Sequence, residues 1–224
     1  MKPVLTIDGP SGSGKGTIAA RIALDTGWML LDSGALYRLT GLACDRKDID
    51  LEDEPAVAEV ARNLDVEFDQ TEGSTRVLLE QVDVTATIRT EKVAALASRV
   101  AKLPSVRDAL LQRQRDFAAE QGLVADGRDM GTVVFPDAPA KVYLTASAEE
   151  RAKRRVLQLK EQGEKVDYET ILADIKARDD RDMNRTVAPL KPAADAIEID
   201  SSKLSIDEVI QRVERLLIEK GLIK

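Results

Sequence analysis

The residues that most constrain this chain are Gly9-Pro10-Ser11-Gly12-Ser13-Gly14-Lys15-Gly16-Thr17. They follow the apolar run Val4-Leu5-Thr6-Ile7-Asp8 and open a stretch, Lys15 to about Asp25, that reads as a helix ended by Thr26-Gly27. A strand, a glycine-rich loop and a helix in that order gather backbone N–H groups around an anion. Glycine permits positive φ and close approach, and the helix N-terminus adds partial positive charge. Lys15 supplies a full charge to the outer phosphates of a nucleotide. In the strict pattern a Ser or Thr follows the lysine directly, whereas here Gly16 precedes Thr17. An ordinary glycine-rich turn is the competing reading, and the strand–loop–helix context weighs against it.

The rest of the chain continues the α/β alternation. Trp28-Met29-Leu30-Leu31 reads as a second strand, and Asp32-Ser33-Gly34 opens a helix reaching about Cys44. From about Asp65 to Thr87 the pattern changes to period two, with Val66, Phe68, Val77, Leu79, Val82 and Val84 separated by Thr71-Glu72-Gly73-Ser74 and Glu80-Gln81. That predicts a small antiparallel meander. Helices are expected at about Arg89–Ala101 and Ser105–Gln121, divided at Leu103-Pro104-Ser105. Parallel-strand runs return at Leu123–Ala125, Lys141–Thr145 and Ala196–Ile199. Ser147 with Glu150, and Ser205 with Glu208, have capping-box spacing. Helices follow to about Gln162, from about Asp167 to Asn184, and at the C-terminus.

Composition removes several chemistries. The 224 residues include no histidine, so neither a Ser-His-Asp system nor an imidazole zinc site can form. The single cysteine, Cys44, excludes an intramolecular disulfide and a four-cysteine cluster. Net charge is −7 and aromatics make up 3%. The chain therefore has no broad attraction for nucleic acid or an anionic membrane and no stacking platform for bases, and its core must be aliphatic. The first ten residues hold too short an apolar run for a signal peptide, and no 18 apolar residues run uninterrupted. A soluble, cytoplasmic protein without nucleic-acid or membrane partners is expected.

Three charged clusters accompany the loop. Ser33 and Arg38 begin the helix past the second strand, at the carboxyl edge where open α/β sheets bind ligands. A plain N-cap is the competing role for Ser33. Asp126-Gly127-Arg128-Asp129 emerges after a buried-looking strand. Arg178, Arg181, Asp182 and Arg185 stand at i, i+3, i+4 and i+7, which places them on one helix face. A solvated face, with Asp182 pairing to Arg178 and Arg185, is the alternative there. Its i,i+4 pairs contribute only about 0.2–0.5 kcal/mol each.

Taken together, GPSGSGKGT at Gly9–Thr17, LDSGALYR at Leu31–Arg38, ADGRDMGTVVFPDA at Ala125–Ala138 and ARDDRDMNRTVAPL at Ala177–Leu190 resemble the bacterial cytidylate kinases, essentially end to end. The resemblance implies an α/β P-loop fold of three layers with a parallel central sheet, a small antiparallel insert and a short helical lid. It implies one kinase domain: a core of residues 1–63, 88–150 and 186–224, an insert on the monophosphate side at about 64–87, and a lid at about 151–185. The implied reaction is transfer of the ATP γ-phosphoryl group to CMP or dCMP, with Mg²⁺, by a monomer. Residue by residue, ATP would lie on Gly9, Pro10, Ser11, Gly12, Ser13, Gly14, Lys15, Gly16 and Thr17. The acceptor phosphate would meet Ser33, Arg38, Arg128 and Arg185, and cytosine would meet Ser98, Arg107 and Asp129. The pentose would meet Arg181 and Asp182, with Arg178 beside them. Lys15, Arg128, Arg181 and Arg185 would carry catalysis, and Asp126 would face Mg²⁺ through water. Arg151, Arg154 and Arg155 fall where the family has its lid, although a basic stretch completing the helix dipole explains them equally. A kinase for another nucleoside monophosphate or a small hydroxylated metabolite, and a nucleotide-binding switch, are the rival readings.

Overall fold

The computed structural model describes residues 3–71, 74–118, 121–161 and 163–224. The chain divides into two compact units, Met1–Asp32 with Arg115–Lys224, and Ser33–Gln114.

In the first unit, β1 (Val4–Asp8), β2 (Met29–Asp32), β6 (Leu123–Gly127), β7 (Ala140–Thr145) and β8 (Ile197–Asp200) form one sheet of order β2-β6-β1-β7-β8 among the described residues. Every pairing in it is parallel, with Asp8 opposite Gly127 on one side and Tyr143 on the other. A parallel sheet is covered on both faces, so its strands read as continuous apolar runs; β1 and β6 are buried along their whole length. Alternation places Leu5 and Ile7 in a core with Ile18 and Ile22 of α1 (Lys15–Thr26) and with Val209, Val213 and Leu217 of α8 (Ile206–Glu219). The core is aliphatic, as the aromatic content requires; Trp28 is the ring buried in it. The unit is completed by α6 (Ala148–Glu161) and α7 (Tyr168–Asn184).

In the second unit, α2 (Ser33–Arg46), α3 (Glu54–Arg62), α4 (Glu91–Val100) and most of α5 (Pro104–Asp116) accompany a sheet of β3 (Val66–Thr71), β4 (Ser74–Leu79) and β5 (Val82–Asp83). The meander is antiparallel, pairing Val66 with Leu79, Phe68 with Val77 and Leu79 with Val82. Glu80 and Gln81, at φ 51° and 65°, make the tight turn between β4 and β5; both are left-handed, the requirement of a type I′ hairpin. The other expected turn residues, Glu72 and Gly73, lie outside the described residues, as do Ala119, Glu120 and Gln162 near the expected ends of two helices. Leu39, Leu42, Leu64, Val77, Leu79, Val84 and Ile88 form this unit's own core. Gly41 lets α2 and α4 meet, because a Cβ there would stand 2.8 Å from the Leu96 Cβ.

Two local expectations need correction. The helix α3 was not expected from the sequence, although Asp53 caps it through the Ala56 N–H and a proline occupies its first turn. At Ser147 only half of the capping box forms. Its Oγ accepts from the Glu150 N–H at 3.2 Å, but its own N–H is taken by Ser202 Oγ. Ser205 and Glu208 make the full reciprocal pair.

Candidate active site

Each glycine of the loop answers a separate demand. At Gly9 a Cβ would stand 2.0 Å from the Leu144 carbonyl oxygen of β7. Gly12 and Gly14 take φ of 77° and 92°, the left-handed region open to glycine. Gly16 explains the departure from the strict motif: a Cβ there would press to 3.3 Å of Asp126 Oδ2, so a carboxylate from β6 occupies the space of a larger residue. The loop is also held from behind. Arg151 donates through Nη1 to the Ser11 carbonyl at 2.9 Å, and Ser201 Oγ donates to the Ser13 carbonyl at 3.1 Å. The Ser13 hydroxyl is buried and has no hydrogen-bond partner among the described residues.

Lys15 is buried at the start of α1, donates to the Pro10 carbonyl at 3.3 Å and lies 3.9 Å from Asp126 Oδ1. Burial and then the nearby Arg128 guanidinium lower its pKa to about 8, while Asp126 pulls the other way. An anion in the loop would favour the charged ammonium. Beside the loop opens a cleft of about 540 Å³, lined by Gly12, Ser13, Gly14 and Thr17 at one end and by Arg154, Arg155, Gln158, Leu204 and Ile206 elsewhere. That size suits a nucleotide.

At the carboxyl end of β6 the chain turns through Arg128 and Asp129 into a wide helical turn, Met130–Val134, in which the Val134 and Phe135 N–H groups reach back five residues to the Asp129 and Met130 carbonyls. Arg128 Nε donates to Asp182 Oδ2 at 3.0 Å, across 54 residues of sequence. Asp129, itself 2% exposed, faces Arg185 Nη2 at 3.7 Å. Burial acts to raise the Asp182 pKa, but Arg128, Arg178 and Arg185 outweigh it and hold the carboxyl below its usual range. The cluster joins residues from the turn after β6, from α7 and from the segment after α7.

This arrangement replaces the expected single helix face. The helix α7 ends at Asn184, and Arg185 is extended (φ −65°, ψ 143°) with its Nε donating to the Ala188 carbonyl. Arg178 and Asp182 remain one turn apart on the inner side. Arg181, about 100° around the helix from Asp182, is exposed. The solvated-face alternative also fails, because Asp182 is buried and accepts a hydrogen bond from Arg128 at the end of β6.

Within the second unit the structure places Ser33, Arg38, Ser98 and Arg107. Ser33 is buried and its hydroxyl donates to Gln114 Oε1 at 2.8 Å instead of capping α2. Arg38 donates to the Ile88 carbonyl at 2.9 Å. Arg107 lies 5.7 Å from the centre of the Tyr37 ring and is buried, and Ser98 is half-buried on α4. Of the three arginines expected in a lid, Arg151 is 3% exposed; it grips Asp179 of α7 with both terminal nitrogens and the Ala146 carbonyl with Nε. Arg154 donates to the Ser201 carbonyl, and Arg155 to Gln158.

Sequence reasoning missed Gln114, Asp179, Ser201 and Asp8. The first three act through contacts over 28 to 188 positions, which no local spacing announces. Asp8 carried one signal, a carboxylate closing an otherwise apolar strand.

A match to the cytidylate kinase family model runs over residues 5–219, nearly the whole chain. The chain belongs to the cytidylate kinase family. A cytidylate kinase of Pseudomonas putida (strain KT2440) is 58% identical over 225 residues, covering 100% of this chain and 99% of that protein. One from Pseudomonas fluorescens (strain Pf-5) is 61% identical over 213 residues, covering 94% and 93%. An uncharacterized protein from Eubacterium ventriosum is similar in fold, with TM-score 0.50 at 15% identity over 97% of this chain and 99% of that one. Among the described residues of this cytidylate kinase family member, no helix is long and apolar enough to cross a membrane.

Proposed function

We propose that the protein transfers the γ-phosphoryl group of ATP to CMP or dCMP. An oxygen of the acceptor phosphate bonds to the γ-phosphorus while the bond to the β–γ bridging oxygen breaks, giving CDP or dCDP and ADP. The observation that carries this reading is the half-buried group of Arg128, Arg178 and Arg185, set against the buried carboxylates of Asp182 and Asp129 and near Lys15 of the phosphate loop. Family membership supports the substrate class.

Phosphoryl transfer between nucleotides needs alignment and neutralised charge, with no covalent intermediate and no strong base. The loop from Gly9 to Thr17 and Lys15 take the ATP phosphates. Arg128 and Arg185 hold the acceptor phosphate, which brings about −1.5 to −2 charges at pH 7, and guanidinium forks suit its paired oxygens. Ser33 and Arg38 serve the same group. Asp129 accepts from the exocyclic amine of cytosine, with Ser98 and Arg107 as the other base contacts. Asp182 takes the pentose together with Arg181, whose side chain is exposed on α7.

The donor set fits Mg²⁺. No cluster of three or more acidic, Cys or His ligands exists among the described residues, while the Asp126 carboxylate stands 3.9 Å from Lys15 of the loop. Magnesium at such sites is held by one or two carboxylates, water and substrate phosphates. Asp126 would hold it through water, and when bound it supplies charge neutralisation. A monomer working in the cytoplasm completes the proposal.

A turnover panel of CMP, dCMP, UMP and AMP with ATP and Mg²⁺ tests the reading. CMP or dCMP is expected to be preferred, and a strong preference for AMP or UMP would reassign the acceptor.

A further inference from the structure

Asp8 closes β1 immediately before the phosphate loop and has no role in the scheme above. Strand alternation sends Leu5 and Ile7 into the core and leaves Thr6 and Asp8 on the opposite face. There the Asp8 carboxylate, 3% exposed, accepts the Met130 N–H through Oδ1 and the Gly131 N–H through Oδ2, each at 2.8 Å. Those two donors lie one and two residues past Asp129. A Cβ at Gly131 would stand 2.9 Å from Thr6 Oγ1 and 3.4 Å from Asp8 Oδ2, so the absence of a side chain lets this backbone settle onto the carboxylate. At Gly127 a Cβ would meet Met130 Cγ at 2.7 Å, so the turn also folds closely on itself. Burying a carboxylate between Asp126 and Asp129 is unfavourable. What the residue type provides is two equivalent acceptors for two successive N–H groups; an amide provides one acceptor and an apolar residue none.

We propose that Asp8 is a positioning residue for the acceptor side of phosphoryl transfer, locking the turn after β6 so that Arg128 and Asp129 keep fixed places relative to Lys15. The proposal rests on the acceptor roles given above to Arg128 and Asp129. Asp8 touches neither nucleotide in this scheme; it acts through the Met130 and Gly131 backbone.

The test is Asp8→Asn, which preserves shape but sets an amide N–H₂ against one backbone N–H. The expected result is a fall in kcat/KM for CMP of about 30- to 100-fold, the scale of a small misplacement of reacting groups. Affinity for a fluorescent N-methylanthraniloyl ATP should stay within about threefold, because the donor loop keeps its own supports from Arg151 and Ser201. In an Arg128→Ala background the same change should cost under about threefold, since residues acting as one unit are non-additive. Equal losses for ATP analogue and CMP, additive losses with Arg128→Ala, or a lower Tm with unchanged kcat/KM would each overturn the proposal. If Asp8→Asn does not fold, Gly131→Ala lifts the same N–H from the carboxylate and should show the same split; near-normal kcat/KM would overturn it. Wild-type turnover is measured alongside. If CMP is not its acceptor, the functional reading fails separately, and the Asp8 comparison is made with the monophosphate that is accepted.

Discussion

Lys15, to which the proposed reaction gives the ATP phosphates, sits in an environment that disfavours its charge. Its ammonium is buried, opposed by Arg128 and only partly balanced by Asp126, which lowers its pKa to about 8. Lys15→Ala should lower kcat at least about a hundredfold, the usual effect of removing an electrostatic donor at the transferring group; steady-state turnover at saturating CMP checks it. Asp8 makes a second prediction, on stability and pH. Burial raises its pKa from 3.8 to about 7, against the two hydrogen bonds that lower it. Between these values the folded state binds more protons than the unfolded chain at this site. Its contribution to stability is therefore fully present below pH about 4 and is lost as pH rises through about 7. The difference in urea midpoint between wild type and Asp8→Asn should change with pH in that window and be flat above it. A flat difference throughout would show that Asp8 titrates normally. Asp182, whose pKa is lowered, works in the opposite direction and loses stability as pH falls.

At the level of elements, the strand–loop–helix start and the period-two meander were legible because both depend on local patterning. The places where reading failed depend on contacts at long range or on unmarked ends. The spacing Arg178–Asp182–Arg185 continues a helical pattern past Asn184, where the helix stops without a glycine and Arg185 becomes extended. Nothing in that spacing reveals that Asp182 bonds to Arg128, a contact made by bringing α7 to the end of β6. Ser33 has an N-cap's residue type, yet its hydroxyl is used by Gln114 across 81 positions. Close helix packing gives a prediction at this scale. Gly41→Leu forces a side chain into α4, where even a Cβ would stand 2.8 Å from the Leu96 Cβ, and should destabilise by about 1–3 kcal/mol. Thermal or urea unfolding measures it, and an unchanged midpoint would mean that the helices separate without cost.

For the whole molecule, net charge −7 and a cationic cluster coexist because the cluster is local and half-buried beside carboxylates. The protein should therefore fail to retain duplex DNA or single-stranded RNA at physiological salt in a filter or anisotropy assay. Tight binding with a steep salt slope would instead expose a phosphate-tracking surface. The strand order β2-β6-β1-β7-β8 has a different consequence, one for how the chain is made. β1 and β2 are not neighbours; each pairs with β6, which ends at Gly127. On a ribosome the first two strands therefore emerge without a partner and wait until β6 has been synthesised. Ser33–Gln114, which has its own core, is by then fully translated. Synthesis order thus allows the unit in the middle of the sequence to fold first, with the catalytic sheet following as its inserted strand arrives.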